Sequence, residues 1–334
     1  MMKRILSLFV TLTTILILTA CMPTVNESRF FAMDTAMSVK VWGSEELCRK
    51  LEDRAETLDD LLSTTDENSE IARLNSEHTA TLSEPTLRLL RRTLELSADM
   101  REYFDPTVYP AVVEWGFIDE HYRVPDDEWL STLSSLIDSS RVKLDGDTAT
   151  LPAGMQLTLG ATAKGYLADE CEAILSENNA PCAILNLGGT ILLHGKKPDN
   201  TRFKVGVADP ENPASYFGYL TCDQGIVATS GGYERYFEQD GKRYIHILDP
   251  TTAKPVDNGT LSVTIFSDDG TRADALSTAL FVMGVDKAAE YYRSHPDFDF
   301  ILLTDDGTCY VTEGVYDDFT LADGFDFSIR KITL

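Results

Sequence analysis

Basic residues are scarce in this chain. Across 334 residues, 29 Lys and Arg stand against 54 Asp and Glu, a formal net charge of −25. Such a chain repels phosphate backbones and anionic membrane surfaces, which argues against a nucleic-acid binder. Cysteine is sparse and unpatterned: there are six, with no Cys-x-x-Cys and no Cys/His cluster at zinc spacing. Apart from Cys21, the remaining Cys48, Cys171, Cys182, Cys222 and Cys309 are odd in number, so they cannot all pair. They read as small buried apolar side chains. A P-loop is absent, and Ser230 lacks the Gly-x-Ser-x-Gly context of a serine hydrolase. Internal repeats, low-complexity tracts and long linkers are missing too. What remains is ordinary globular material, 43% hydrophobic and 25% charged, enough for one large or two modest domains.

The one long apolar run lies at the start. Lys3 and Arg4 precede Ile5 to Leu18, and Leu18-Thr19-Ala20-Cys21 places a small residue directly before a cysteine. These are the parts of a secretory signal, residues 1–20, ending in a lipobox whose Cys21 becomes the lipidated N-terminus. The run of about 16 residues is short for a span of ~20. The expected mature protein is extracytoplasmic and held at the bacterial cell membrane by acyl chains, because its own charge would not hold it there. Residues 21–30 read as a tether and 31–334 as the folded domain.

Within that domain, Ala36 to Trp42 reads as a strand. Leu47, Leu51, Leu58, Leu61 and Leu62 recur at helical spacing, and Ser83-Glu84-Pro85 opens a second helix with Ser as N-cap. Asp126 to Ile137 reads as a third. The second half is rich in strands: Cys182–Leu187, Ile191–His194, Phe203–Val207, Tyr216–Thr221, Ile226–Thr229, Tyr233–Phe237, Arg243–Leu248, Leu261–Phe266, Phe300–Thr304 and Thr308–Thr312. Helices are expected at Leu167–Leu175, Arg272–Met283 and Asp286–Arg293. Strands and helices mix without a βαβ rhythm, so the class is α+β, dominated by antiparallel sheet.

Four segments hold more Gly, Asp and small residues than packing requires. Phe104-Asp105-Pro106-Thr107-Val108 follows a long helix, where Asp-Pro also serves as a plain helix stop. Gly160-Ala161-Thr162-Ala163-Lys164-Gly165 runs from a strand end into a helix, whose free N–H groups suit a phosphate; close helix–sheet packing explains the small residues equally well. Asn186-Leu187-Gly188-Gly189 and Ala228-Thr229-Ser230-Gly231-Gly232 end strands in turns that allow close backbone approach. His246-Ile247-Leu248-Asp249-Pro250 ends a strand, and Ala273-Asp274-Ala275 opens a helix. Asp274 and Thr278 are four residues apart, so both project from one helical face. That is half of a hard-cation site, or a capped helix start.

Taken in order with Met33-Asp34-Thr35, Trp115-Gly116-Phe117, Tyr233 and Asp240-Gly241-Lys242, these segments resemble the FAD:protein FMN transferase (ApbE) family. The resemblance runs from about Phe30 to the C-terminus. It implies a T-fold-related α+β fold with FAD between lobes, and Mg²⁺-dependent transfer of FMN from FAD to a Thr or Ser hydroxyl of a partner redox protein, releasing AMP. It further implies that Ala161 gives Mg²⁺ a backbone carbonyl, with Asp274 and Thr278 as side-chain ligands. Met33, Tyr103, Phe104, Asp105, Thr158, Lys164 and the backbone around Leu248 would line the FAD. His246 would sit near the pyrophosphate as the first candidate for general base, with Asp105 as the substitute. The chain departs from the family's usual residues at Asp34, Thr65, Thr158 and Thr190. At Thr65 an aromatic ring is replaced, which removes ~0.5–1.5 kcal/mol of stacking.

Competing classes are a Mg²⁺-dependent FAD pyrophosphatase using water as acceptor, a non-catalytic flavin-binding lipoprotein, and a transporter's substrate-binding lipoprotein. The last wants two similar α/β lobes, against which the β-rich second half argues. The lipobox generates a direct test. Cys21→Ser should move the protein from the membrane pellet to the soluble fraction on fractionation, and an unchanged pellet would overturn lipid anchoring.

Overall fold

The computed structural model describes residues 24–334, so the signal segment and Cys21 lie outside the described residues. Its centre is a nine-stranded sheet whose strands lie side by side in the order the chain makes them. They are β1 (Val25–Ala32), β2 (Thr35–Trp42), β3 (Cys182–Asn186), β4 (Thr190–Gly195), β5 (Gly225–Gly231), β6 (Thr260–Ser267), β7 (Asp299–Thr304), β8 (Thr308–Thr312) and β9 (Ser328–Ile332). Every neighbouring pair is antiparallel except β8–β9. The expectation of an α+β fold dominated by antiparallel sheet is met.

Among the described residues seven helices accompany the sheet: α1 (Glu45–Leu62), α2 (Glu70–Glu77), α3 (Glu84–Met100), α4 (Tyr109–Glu114), α5 (Asp127–Ser134), α6 (Ala163–Glu177) and α7 (Gly270–Ser294). Of the leucines of α1 that repeat at helical spacing, Leu47, Leu51, Leu58 and Leu62 are buried and Leu61 half-buried, and Ser44 caps the helix by accepting from Leu47 N–H. Residues of α1, α2 and α6 share one apolar cluster with β1 to β4. Residues of α7 and the end of α3 share a second with β5, β6 and β7. A three-stranded sheet of Phe203–Asp209, Asn212–Cys222 and Phe319–Leu321 contributes to a third cluster with other side chains of the main sheet. All five described cysteines are free and buried, as small apolar residues would be.

Three local features differ from the sequence reading. Residues 25–30, read as tether, belong to β1. Val25 to Ala32 pair with Trp42 to Thr35 one for one, and Met33 and Asp34, at φ 50° and 58°, close the hairpin. Two successive positive φ angles make the tight turn whose twist suits a hairpin. The polar Asn26, Glu27, Ser28 and Arg29 concealed the strand. Ser83 does stand at the start of α3 before Pro85, yet its hydroxyl does not cap the helix; it donates to the Glu70 carboxylate. Helix α2, only eight residues long, escaped the periodicity argument. Helix α7 breaks at Gly284, φ 69°, between Arg272–Met283 and Asp286–Arg293, as the sequence led one to expect.

One part-buried ion pair ties α6 to the sheet. His194 on β4 has Nδ1 2.8 Å from Glu172 of α6 and Nε2 2.9 Å from the Ala180 carbonyl. Both partners are acceptors when Glu172 is ionised, so both ring nitrogens carry hydrogen and the ring is an imidazolium. The Glu172 hydrogen bond raises its pKa. Its stabilising contribution is therefore complete below the unfolded value of ~6.5 and disappears as pH rises through the higher folded value. His194→Gln should cost about 1–2 kcal/mol near pH 6, and the melting-temperature gap to the native protein should narrow toward pH 9. A gap constant across that range would show a neutral ring.

Candidate active site

Two glycines let α6 and α7 meet backbone to backbone. A Cβ on Gly165 would stand 2.0 Å from the Gly270 carbonyl oxygen, and one on Gly270 would stand 2.5 Å from the Gly165 carbonyl oxygen. Across this contact each helix serves the other's first turn. Asp169 of α6 accepts from Gly270 N–H at 2.7 Å and from Thr271 N–H at 2.8 Å and Oγ1–H at 2.6 Å. Asp274 of α7 accepts from Gly165 N–H at 2.9 Å through Oδ2. Asp269 completes the start of α7 by accepting from Arg272 N–H and from Arg92.

This exchange leaves oxygens without partners. Asp274 is buried, its Oδ1 takes no hydrogen bond among the described residues, and burial raises its pKa against the pull of Lys164 and the backbone N–H groups. The N–H of Gly165, which a continued helix would offer to the Ala161 carbonyl, goes to Asp274 instead. Thr278, one turn beyond Asp274, is half-buried. A carboxylate oxygen, a carbonyl and a hydroxyl are hard donors of the kind Mg²⁺ takes, with substrate phosphates and water completing its shell. Among the described residues no three His, Cys, Asp or Glu side chains form a metal cage, so an ion here would depend on such outside ligands.

Lys164 is the local cation, and it makes no salt bridge among the described residues. Its charge restrains the upward pKa shifts of Asp274 and Glu234 and adds to the downward shift of His246. His246 lies at the end of the hairpin formed by Tyr236–Gln239 and Lys242–Ile245. Its Nδ1 is 3.1 Å from the Arg235 carbonyl, an acceptor only, so Nδ1 carries the hydrogen and the Nε2 lone pair is open. Burial, with Arg235 and Lys164 adding to it, pushes its pKa down to about 4.

Other site residues from the sequence sort into two groups. Met33 stands in the β1–β2 turn, and Arg235 reaches its neighbour Asp34 at 3.7 Å. Gly188 packs so tightly on Thr35 that a Cβ there would come within 2.2 Å of it. Thr158 takes Gly160 N–H on its hydroxyl and donates its own N–H to the Pro106 carbonyl, just before Ala161 and Lys164. Tyr103 lies under the Lys287 ammonium, 4.8 Å from the ring centre.

Two candidates are committed to the fold instead. Asp105 accepts from Thr107 N–H and Oγ1–H through Oδ1 and from Ser139 N–H through Oδ2, which stitches its loop together. With both oxygens occupied it is unsuited to act as general base, contrary to the sequence reading. Phe104 is buried against α7 residues, so its ring is core rather than a flavin contact. The side chain of Leu248 is also buried, beside Trp115 and Phe117, and only its backbone is open to the role assigned. Among the departures, Thr65 is exposed past α1, and the buried Thr190 hydroxyl has no partner.

Sequence reasoning missed Glu234 and Arg235 because it read Tyr233 to Phe237 as strand. The strand starts at Tyr236, and the turn before it brings Glu234 Oε1 to 3.5 Å from where a Cβ on Gly189 would be. Two charged residues one position beyond Gly231-Gly232, after Tyr233, were the available signal.

The model of the ApbE family matches residues 33–302. The chain belongs to this family. It is 34% identical over 240 residues to the FAD:protein FMN transferase of Treponema pallidum (strain Nichols), covering 66% of each chain. To that of Klebsiella pneumoniae (strain 342) it is 38% identical over 205 residues, covering 60% of this chain and 63% of the relative. It thus spans just under two thirds of the length of these curated relatives. The ApbE protein of Thermotoga maritima superposes with TM-score 0.81 at 32% identity, over 87% of this chain and 98% of that one. The apo flavinyl transferase ApbE of Pseudomonas stutzeri gives 0.78 at 26%, over 92% and 98%.

In this ApbE-family protein the His246 ring should stay neutral from pH 8 to pH 5. Its Cε1–H resonance, identified by loss in His246→Gln, should titrate near pH 4 in the ligand-free protein. A midpoint near 6.5 would show that the ring is not enclosed as described.

Proposed function

We propose that this protein transfers FMN from FAD to a Thr or Ser hydroxyl of a partner redox protein and releases AMP, with Mg²⁺ held by the Ala161 carbonyl, Asp274 and Thr278. The ApbE fold and the relatives named for this transfer support the reading. The observation that carries it is local: a neutral imidazole with an open nitrogen shares one charge cluster with a buried carboxylate that has an unpartnered oxygen.

FAD joins its FMN and AMP halves through a diphosphate. The acceptor oxygen bonds to the FMN-side phosphorus, the bridging P–O bond breaks, and AMP leaves with the bridging oxygen. The hydroxyl proton goes to His246 Nε2, which the Nδ1–H···O=C bond to Arg235 keeps oriented and unprotonated. Lys164 supplies fixed positive charge beside the reacting phosphate, which a chain of net charge −25 does not otherwise favour. Bound Mg²⁺ would supply charge compensation for the diphosphate and polarise the breaking bond. Met33, Tyr103, Thr158 and the Leu248 backbone would line the FAD. Lipidation of Cys21 would keep this activity at the extracytoplasmic face of the cell membrane, where its acceptor would be met.

Incubation with FAD, Mg²⁺ and an acceptor domain should add the mass of FMN to the acceptor and release AMP. Asp274→Ala should abolish transfer. His246→Ala should lower the rate by roughly 10²–10⁴-fold while leaving FAD affinity nearly unchanged, since a base acts only in the transition state. FMN and AMP released without an acceptor mass gain would make the protein an FAD pyrophosphatase. FAD bound and left intact would make it a flavin carrier.

A further inference from the structure

The hydroxyls around Thr278 form a chain whose direction is fixed by counting protons. Ser277 Oγ lies 2.7 Å from the Asp274 carbonyl oxygen and donates to it, because a carbonyl only accepts. Ser230 Oγ, reaching across from β5, lies 2.7 Å from Ser277 Oγ and 3.3 Å from Thr278 Oγ1. The single proton of Ser277 is already used, so Ser230 is the donor to Ser277. The single proton of Ser230 is then used as well, so Thr278 is the donor to Ser230.

With all three bonds made, the order is Thr278 to Ser230 to Ser277 to the Asp274 carbonyl. A helical Thr often turns its hydroxyl back on the carbonyl four residues earlier. Here that carbonyl is Asp274's own, which already accepts from Ser277, and Thr278 is bonded to Ser230 instead.

We propose that Ser230 is a positioning residue for the cation site: by accepting the Thr278 proton it turns the lone pairs of Thr278 Oγ1 away from β5 and toward the Asp274 side of the helix. This rests on the reading of Asp274 and Thr278 as cation ligands. A hydroxyl that must ligate through oxygen needs its hydrogen held elsewhere, and Ser230 is the side chain that takes it. Outer partners of this kind change metal affinity by about 10–100-fold when removed.

The test titrates Mn²⁺ into the full chain with saturating FAD and no acceptor, following loss of the free-Mn²⁺ paramagnetic signal. Asp274→Ala sets the level without a site. Ser230→Ala should weaken Mn²⁺ uptake by about 10–100-fold and raise the Mg²⁺ concentration for half-maximal transfer, with the rate at saturating Mg²⁺ largely kept. Ser230→Thr, which restores the hydroxyl, should recover most of the affinity. Ser230→Ala with native uptake would overturn the positioning role, as would a loss that Ser230→Thr fails to recover while remaining folded. Equal uptake by Asp274→Ala and the native protein would instead overturn the cation reading on which the proposal stands.

Discussion

The backbone contact between Gly165 and Gly270 is the constraint on which the site depends. Two helix starts that touch this closely cannot each be wrapped in water, so their free N–H groups need acceptors from within the protein. Asp169 serves α7, and Asp274 serves α6. A carboxylate used in this way is buried for a structural reason, at a desolvation cost that one hydrogen bond offsets only in part. Its second oxygen takes no hydrogen bond among the described residues, and the Ala161 carbonyl, just before α6, takes none from Gly165. The candidate cation site is thus a by-product of helix packing: the same two glycines that permit the contact create the local demand for positive charge.

Much of this was legible in the sequence, and the exceptions have physical causes. Long amphipathic helices announced themselves by spacing, as in α1, and strands flanked by Gly-Gly turns by their boundaries, as in β5. β1 did not, because one face of an edge strand is polar and its polar residues resemble a linker. In the site, Asp274 and Thr278 were found because four-residue spacing on a helix fixes a common face. Lys164 was found because it follows a small-residue turn. Glu234, Arg235 and Ser230 were not assigned roles, since their significance depends on contacts with segments distant in the chain: Gly189 for Glu234, Asp34 for Arg235, Ser277 and Thr278 for Ser230. Asp105 shows the converse error. An Asp-Pro beside a glycine-rich site invites a catalytic role, and only the three hydrogen bonds it accepts reveal a loop fastener.

Electrostatics then divides the two histidines that matter into opposite roles. His194 faces a carboxylate and a carbonyl, so both of its nitrogens donate and the fold holds it as a cation. His246 faces a carbonyl on one side only, and burial, with Arg235 and Lys164 adding to it, lowers its pKa and favours the neutral ring. In a chain this acidic, carboxylates would be expected to raise the pKa of most imidazoles. Burial keeps this one low, and its near neighbours Arg235 and Lys164 add to that effect rather than opposing it. Under the proposed chemistry the basic residues Lys164 and Arg235 would act twice: they would favour a dianionic diphosphate, and they help keep the His246 nitrogen free of a proton. Both effects follow from concentrating positive charge at one point of a negative molecule, which is why the composition and the proposed chemistry are compatible rather than opposed.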